Sequence, residues 1–314
     1  MEIIELKHPY QEKEIIQEPI VLALGFFDGV HLGHQAVIRK AKEEAVKYGY
    51  KLAVMTFNQH PKIVYTKLDD ESMFYLSTNE RKAELLADFG VDILYLVEYT
   101  WDFGSQAPQE FVDRYLVDLN AKVVVAGFDY TYGKPEVANM QTLPGHAAGR
   151  FEIVEVDKLM IDEHKISSTS IRDHIEAGDV TAANKELGYL YETSGIVVHG
   201  EKRGGSLLGY PTANVETTAK EFLPGIGVYA VEFNVAGHWY QGMASIGYNV
   251  TFGDHRYITC EVFILDFDRM IYGENVKVRW HKYLRGEIKF DGLDGLIKQL
   301  DQDLIDTRQY FEAL

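Results

Sequence analysis

Residues Ile20–Gly49 read IVLALGFFDGVHLGHQAVIRKAKEEAVKYG, and the character of the sequence changes twice along them. The run IVLALGFF is continuously apolar, as a strand covered on both faces must be. A turn of glycine, aspartate and histidine follows. In HQAVIRKAKEEAVKYG, Ala36, Val37, Lys40, Ala41 and Ala45 then trace one helical face until Gly49 stops it.

The pattern recurs along the first half. KLAVMTF, DILYLVEY, KVVVAGFDY and FEIVEVD are further apolar strands, interleaved with the helix-like STNERKAELLADFG and APQEFVDRYLVDLN. This predicts a doubly wound, Rossmann-like α/β domain around a parallel sheet, with ligands at the carboxyl ends of the strands. The chemistry-prone residues fall there: Asp28-Gly29-Val30-His31, Asn58-Gln59-His60-Pro61 and Gly127-Phe128-Asp129 each follow a strand.

After about Gly188 the pattern becomes that of an all-β domain. SGIVVHG, GVYAVEFNVAGHWYQGMASIG, YITCEVFILDF and NVKVRWHKYLR read as strands joined by short turns, with VAGHW as a hairpin. A small antiparallel β-barrel or a sandwich is expected. A terminal helix follows, whose Leu293, Leu296, Ile297, Leu300, Leu304 and Ile305 form an apolar stripe directed at the barrel. The junction falls near Ala183–Thr193, giving domains 1–186 and 187–314.

Composition narrows the function. Across 314 residues, Lys+Arg 31 against Asp+Glu 48 leaves a net charge of −17, which argues against nucleic acid as a partner. A locally positive pocket for phosphorylated ligands is compatible with that charge. The single cysteine, Cys260, cannot form an internal disulfide and sits in an apolar strand. The N-terminus lacks the basic start and apolar run of a signal peptide, and no apolar stretch approaches the roughly 18 residues of a membrane span. A reducing, cytoplasmic setting is expected.

Two constellations carry chemistry. His31 and His34 are three apart at the start of a helix, so both imidazoles can project from its first turn beside free backbone N–H groups. Gly33 between them leaves room for a nucleotide. The set suits a triphosphate whose α-phosphorus gains negative charge during transfer; a metal site and a structural turn are the competing readings. In KISSTSIRDHIEAGDV, Ser167, Ser168, Thr169 and Ser170 precede a helix beginning near Ile171, with Arg172 in its first turn. They form either an N-cap or a phosphate clamp.

The second constellation is HGEKRGGSLLGYPTANV. Its glycines surround Lys202 and Arg203 without the order of a P-loop, which fits a surface loop or a phosphate cradle. Pro211 fixes a turn that presents Thr212 and Asn214, hard oxygen ligands suited to Mg²⁺. Glu261 either faces solvent, with Cys260 and Val262 inward, or serves the chemistry.

GFFDGVHLGHQ with SSTSIR resembles the H-x-G-H nucleotidylyltransferases, and more narrowly the bacterial bifunctional riboflavin kinase/FAD synthetase family. The resemblance runs through TFNQHP, APQEFV and GFDYTYGK, then GYPTAN, LPGIGVYAV, ASIGYNVTFG, CEVFILDFD and LRGEIKF, over essentially the whole chain. It implies phosphorylation of riboflavin to FMN by the second half, and adenylylation of FMN to FAD by the first. For the first half, it implies His31 and His34 as catalytic residues and Gly25, Phe27, Asp28, Gly33, Ser168, Thr169 and Arg172 around ATP. Asn58, Phe128, Asp129 and Tyr132 would serve FMN, near its phosphate or Mg²⁺. For the second half, it implies Glu261 as the catalytic base, Gly200, Lys202, Gly209 and Pro211 at ATP, Thr212 and Asn214 at Mg²⁺, and Arg285 at the flavin. Partners would be riboflavin, FMN, FAD and ATP/ADP, with no membrane and no nucleic acid, on a monomer or weak homo-oligomer. The chain departs from the family pattern at Gln59 (usually proline), at Thr131 (commonly arginine), and at Val250 in Asn249-Val250-Thr251.

Overall fold

Every residue of strand β2 (Ile20–Leu24) is buried, and it anchors a sheet with β1 (Glu2–Leu6), β3 (Lys51–Phe57), β4 (Ile93–Val97), β5 (Ala121–Gly127) and β6 (Glu152–Val156). The order is β1-β4-β3-β2-β5-β6 and every pairing is parallel. Strand order reverses at β2, whose neighbours β3 and β5 lie on opposite sides. The turn after Leu24 therefore leaves the sheet at its topological switch point, where a crevice opens in doubly wound sheets. The acidic N-terminus supplies the edge strand β1, in register with β4 from Glu2↔Ile93 to Leu6↔Val97. That strand was absent from the sequence reading.

The computed structural model describes residues 1–67, 74–161, 164–200, 210–218, 220–250, 256–290 and 292–314. They divide into two units, Met1–Ser168 and Thr169–Leu314.

In the first unit the helices are α1 (Leu32–Tyr48), α2 (Lys62–Tyr65), α3 (Asn79–Asp88), α4 (Trp101–Gly104), α5 (Pro108–Val112) and α6 (Leu143–Ala147). His31 caps α1, and Gly49 ends it in the left-handed conformation at φ 70°. The buried face of α1 is Gln35, Val37, Ile38, Ala41, Glu44 and Ala45, rotated from the expected one. Lys40 flanks that face because its ammonium pairs with Glu44, which Lys47 also holds. A single π turn, Asp113–Val117, prolongs α5. A short hairpin, β7 (Met160–Ile161) with β8 (His164–Lys165), precedes α7 (Ser168–Glu176). That helix opens at Ser168 rather than near Ile171, so the Ser/Thr run forms its first turn. The Ser168 hydroxyl is engaged with the Asp28 carbonyl, which removes it as a competitor for the helix backbone.

The second unit continues with α8 (Val180–Leu187) and six strands: β9 (Glu192–Val198), β10 (Thr212–Thr217), β11 (Gly227–Val235), β12 (His238–Val250), β13 (Arg256–Ile264) and β14 (Asn275–Arg285). They close into a barrel, β10-β13-β12-β11-β14-β9, with every pairing antiparallel. Closure leaves no free sheet edge and removes the sandwich alternative. Val276, Val278 and Trp280 alternate inward along β14, and the Trp280 indole N–H donates to Thr193 Oγ1 at 3.0 Å. The β11–β12 hairpin turns on Ala236 and Gly237, at φ 52° and 80°. Two consecutive positive φ values match the right-handed twist of the flanking strands.

The terminal helix, Leu293–Glu312, corrects the expected stripe. Its most buried residues are Asp303 and Thr307, while Leu293 and Ile305 are exposed. Leu296 and Leu300 line a cavity instead of entering a filled core. The polar Asp303 is buried because it answers an arginine described below.

Candidate active sites

The turn after β2 bends through conformations that side chains avoid. Phe27, Gly29 and Val30 have φ values of 53°, 73° and 37°. Holding bulky residues there costs on the order of 1–3 kcal/mol each, so other groups must fix the turn. Asp28 is the main one. Its carboxylate, buried beneath the turn, accepts the Leu76 and Ser77 N–H groups at 2.9 and 3.3 Å. The Gly29 N–H donates to Ser77 Oγ at 3.0 Å, and the Ser168 hydroxyl donates to the Asp28 carbonyl at 3.1 Å. Asp28 and Ser168 thus support the turn itself. Phe27 is also buried, its ring lying against Gly25, where a Cβ would come within 2.8 Å. Gly33 likewise makes room for the His31 ring, 3.1 Å from where its Cβ would be.

His31 and His34 are stacked, with ring centroids 3.6 Å apart. The His34 N–H donates to His31 Nδ1 at 3.3 Å, so neutral His31 carries its proton on Nε2, the atom left to face a ligand. Burial lowers the His31 pKa to about 4, with the Lys165 ammonium adding to the effect and Asp129 opposing it. Burial holds His34 well below the ordinary range too, helped by His31 and Lys82. His34 Nδ1 is buried with no hydrogen-bond partner among the described residues, an unsatisfied polar atom that a ligand or a local rearrangement would relieve.

Asp129 and Phe128 both meet Lys165. The ammonium is 2.7 Å from Asp129 Oδ2 and 5.0 Å from the Phe128 ring centre. Asn58 serves the loop after β4: its Oδ1 accepts the Tyr99 N–H at 3.0 Å. Tyr132 lines a separate cavity of 760 Å³ whose walls are rich in aromatic rings, among them Phe57, Tyr65, Tyr99, Trp101 and Phe111. Its hydroxyl lies 2.7 Å from His146 Nδ1, and its ring stacks on Phe111. Thr169 and Arg172 follow Ser168 along α7.

In the second unit, β10 and β13 pair Asn214 with Glu261 and Thr212 with Phe263. Cys260 and Val262 point into the barrel, and burial pushes the Cys260 thiol up to about 12. Glu261 is on the outer face but not in open solvent. It lines a 280 Å³ cavity with Thr212, Phe263, Arg285, Leu296 and Asp303, and the Thr212 hydroxyl donates to its Oε2 at 3.2 Å. A second cavity, 180 Å³, is lined by Pro211, Thr212, Phe267, Arg269 and Tyr272. Thr212 stands in the wall of both. Gly200 is pressed against Asn214, where a Cβ would come within 2.2 Å of the carboxamide. Arg285 is already engaged: it grips Asp303 through Nε at 2.8 Å and Nη2 at 2.6 Å, and donates to the Gly286 carbonyl at 2.9 Å. Lys202 and Gly209 lie outside the described residues.

The FAD synthetase family matches residues 13–170, and the riboflavin kinase family matches residues 187–311. The bifunctional riboflavin kinase/FMN adenylyltransferase of Listeria monocytogenes is 49% identical over 100% of this chain and 99% of its own. That of Bacillus subtilis is 41% identical, with the same coverage.

The chain belongs to the bifunctional riboflavin kinase/FMN adenylyltransferase family.

It is accordingly a transferase with two ATP-dependent activities, riboflavin kinase and FMN adenylyltransferase. A solved structure described as a macrolide-efflux protein of Streptococcus pneumoniae shares its fold, with TM-score 0.89, 37% identity and 97% of this chain covered, 99% of that one. Among the described residues no helix is long and apolar enough to cross a membrane.

Two departures from the family pattern have structural counterparts. Gln59 Nε2 donates to the Tyr99 carbonyl at 2.8 Å, so Asn58 and Gln59 between them hold both backbone polar groups of Tyr99. Thr131 bridges to Asn139 and lines the aromatic cavity. Sequence reasoning missed that cavity because its rings come from several distant segments. It also missed Lys82, although a lysine three and four residues before Leu85 and Leu86 lies on the apolar face of α3.

Proposed function

We propose that the two activities are divided between domains 1–186 and 187–314, with adenylyl transfer in the first and riboflavin phosphorylation in the second. The observation that carries this reading is that each part holds its own cavity beside its own set of polar groups.

In the first domain, the FMN phosphate oxygen attacks the α-phosphorus of ATP, the new P–O bond forms, and pyrophosphate leaves. His31, through Nε2–H, and His34 stabilise the charge that develops on the α-phosphoryl oxygens, with the N-terminus of α1 behind them. Gly25, Phe27, Asp28, Gly33 and Ser168 shape the turn that receives ATP. Thr169 and Arg172, on the helix that Ser168 opens, take its far phosphates. The aromatic cavity takes the isoalloxazine ring, with Tyr132 in its wall. Asp129 and Phe128, beside Lys165, serve the phosphate end of FMN, and Asn58 positions the Tyr99 wall.

In the second domain, riboflavin occupies the 280 Å³ cavity and ATP the 180 Å³ cavity. The γ-phosphoryl group crosses at Thr212, the residue common to both. Glu261 accepts the proton of the ribityl 5′-hydroxyl as that oxygen attacks phosphorus. Gly200, Lys202, Gly209 and Pro211 serve ATP, and Arg285 fixes the flavin-side wall through Asp303. The donors beside the crossing point are a hydroxyl, a carboxamide and a carboxylate, which is the hard-oxygen chemistry Mg²⁺ favours. Thr212 and Asn214 would hold Mg²⁺, and the bound ion would neutralise phosphate charge.

We place the enzyme in the cytoplasm, a setting supported by its lone, buried Cys260, acting as a monomer or weak homo-oligomer. The test is a time course with riboflavin, ATP and Mg²⁺ that resolves riboflavin, FMN and FAD. FMN formed before FAD, with both steps stopped by a chelator and restored by Mg²⁺, supports the reading. FAD formation that continues in chelator contradicts the metal assignment.

A further inference from the structure

Lys82 is buried, 2% exposed, on α3. Its ammonium donates to Thr56 Oγ1 at 3.4 Å and lies 4.5 Å from the centre of the Phe26 ring. Among the described residues no carboxylate comes within ion-pair distance of it. Burying an ammonium with so few partners is costly, and methionine or leucine would complete the apolar face of α3 without that cost. The position calls for a reason.

The reason lies in what Lys82 touches. Thr56 passes the contact on, its hydroxyl donating to the Phe26 carbonyl at 2.7 Å, directly before the left-handed Phe27. From the other side, Asp28 of the same turn grips the Leu76 and Ser77 N–H groups, just ahead of Thr78, the cap of α3. The turn and α3 are therefore clamped at two points, one through each charge. His34 senses the ammonium as a like charge. Across the Phe26 ring lie His60, at 5.0 Å, and Tyr75, at 5.9 Å between ring centres.

We propose that Lys82 is a positioning residue for adenylyl transfer, a buried cation that braces the Phe26–His34 turn from behind and supplies the standing positive charge that two stacked imidazoles cannot carry together. This rests on the reading that the turn is the adenylyl-transfer site. Cation–π contact with Phe26 and the opposite charge of Asp28 keep the ammonium charged at neutral pH. Burial nevertheless lowers its pKa to about 8, with Asp28 opposing the shift. Because the folded pKa is depressed, the charge is present at neutral pH and lost as pH rises through about 8. A charge this buried is also poorly screened by salt.

The test uses the full chain with Lys82→Met, Lys82→Arg and His31→Ala. FMN adenylylation is followed as kcat/KM for ATP from neutral to alkaline pH, and riboflavin phosphorylation by the same samples serves as the reference. In the unsubstituted protein, kcat/KM for adenylylation should fall through about pH 8 while the kinase reference does not. Lys82→Met should be about tenfold slower at neutral pH, equally so at high salt, with no alkaline fall and no loss of thermal stability. Lys82→Arg should recover activity and keep it at alkaline pH. An unsubstituted protein without the alkaline fall, or a Lys82→Met protein with normal rate and normal profile, overturns the proposal even if either variant folds poorly. His31→Ala with undiminished FAD formation would instead overturn the site reading beneath it.

Discussion

The imidazoles of His31 and His34 lie 3.6 Å apart and within 18° of parallel, so protonating one strongly opposes protonating the other. Both are held neutral in the free protein, His31 with a pKa of about 4. A triphosphate brought against them favours the charged form and must raise these values. Binding of a non-reacting ATP analogue at mildly acidic pH should therefore draw protons from solution. Calorimetry in buffers of different ionisation heat measures this uptake, which His31→Gln should reduce after correction for the analogue's own titration. Equal uptake by both proteins would contradict it.

Folding should report the same shift. Between its native value of about 4 and its ordinary 6.5, His31 is protonated only in the unfolded chain. The unfolded state then binds more protons, and stability falls as pH drops through that window. His31→Gln should flatten this part of the stability–pH curve, measured by denaturant titration. An unchanged slope would mean that the native imidazole titrates normally.

The parallel sheet, and the turn that leaves it after Leu24, were legible because a strand buried on both faces leaves a continuous apolar run, and IVLAL is one. The kinase barrel was legible through alternation, as in Val276, Val278 and Trp280. The terminal helix was misread because its apolar stripe suggested a filled core, while the position that is most buried carries Asp303. Arg285, eighteen residues away in sequence and on another element, supplies the charge that offsets that burial, with Gln299 of the same helix also donating to the carboxylate. The edge strand β1 gave little signal, being short and charged. Lys82 shows a different limit, since a sequence does not reveal whether a lysine on an apolar face reaches water.

Gly200 offers a prediction confined to one reaction. A Cβ there would overlap the Asn214 carboxamide at 2.2 Å, displacing a residue we assign to Mg²⁺. Gly200→Ala should raise KM for MgATP in riboflavin phosphorylation by about tenfold, as loss of ligand positioning does, and leave supplied FMN convertible to FAD. Steady-state kinetics of each half-reaction measures it. Equal damage to both would contradict the assignment.

The Arg285–Asp303 pair ties the terminal helix to the 280 Å³ cavity that we assign to riboflavin. Asp303→Ala leaves Arg285 without its bidentate partner, and breaking a buried pair in this way costs about 3 kcal/mol. Denaturant unfolding should show that loss, with a raised KM for riboflavin. Arg285→Met combined with Asp303→Leu should restore most of the stability but not the kinase activity. If the double replacement restored both, the pair would be only a tie.

Two separate sites acting in sequence should come apart in one crossed measurement. His31→Ala and Glu261→Ala are each given riboflavin with MgATP, then FMN with MgATP, and the flavins are resolved over time. His31→Ala should accumulate FMN and make little FAD from either substrate. Glu261→Ala should make no FMN from riboflavin yet convert supplied FMN to FAD at the unsubstituted rate. Loss of both activities in each folded variant would contradict it.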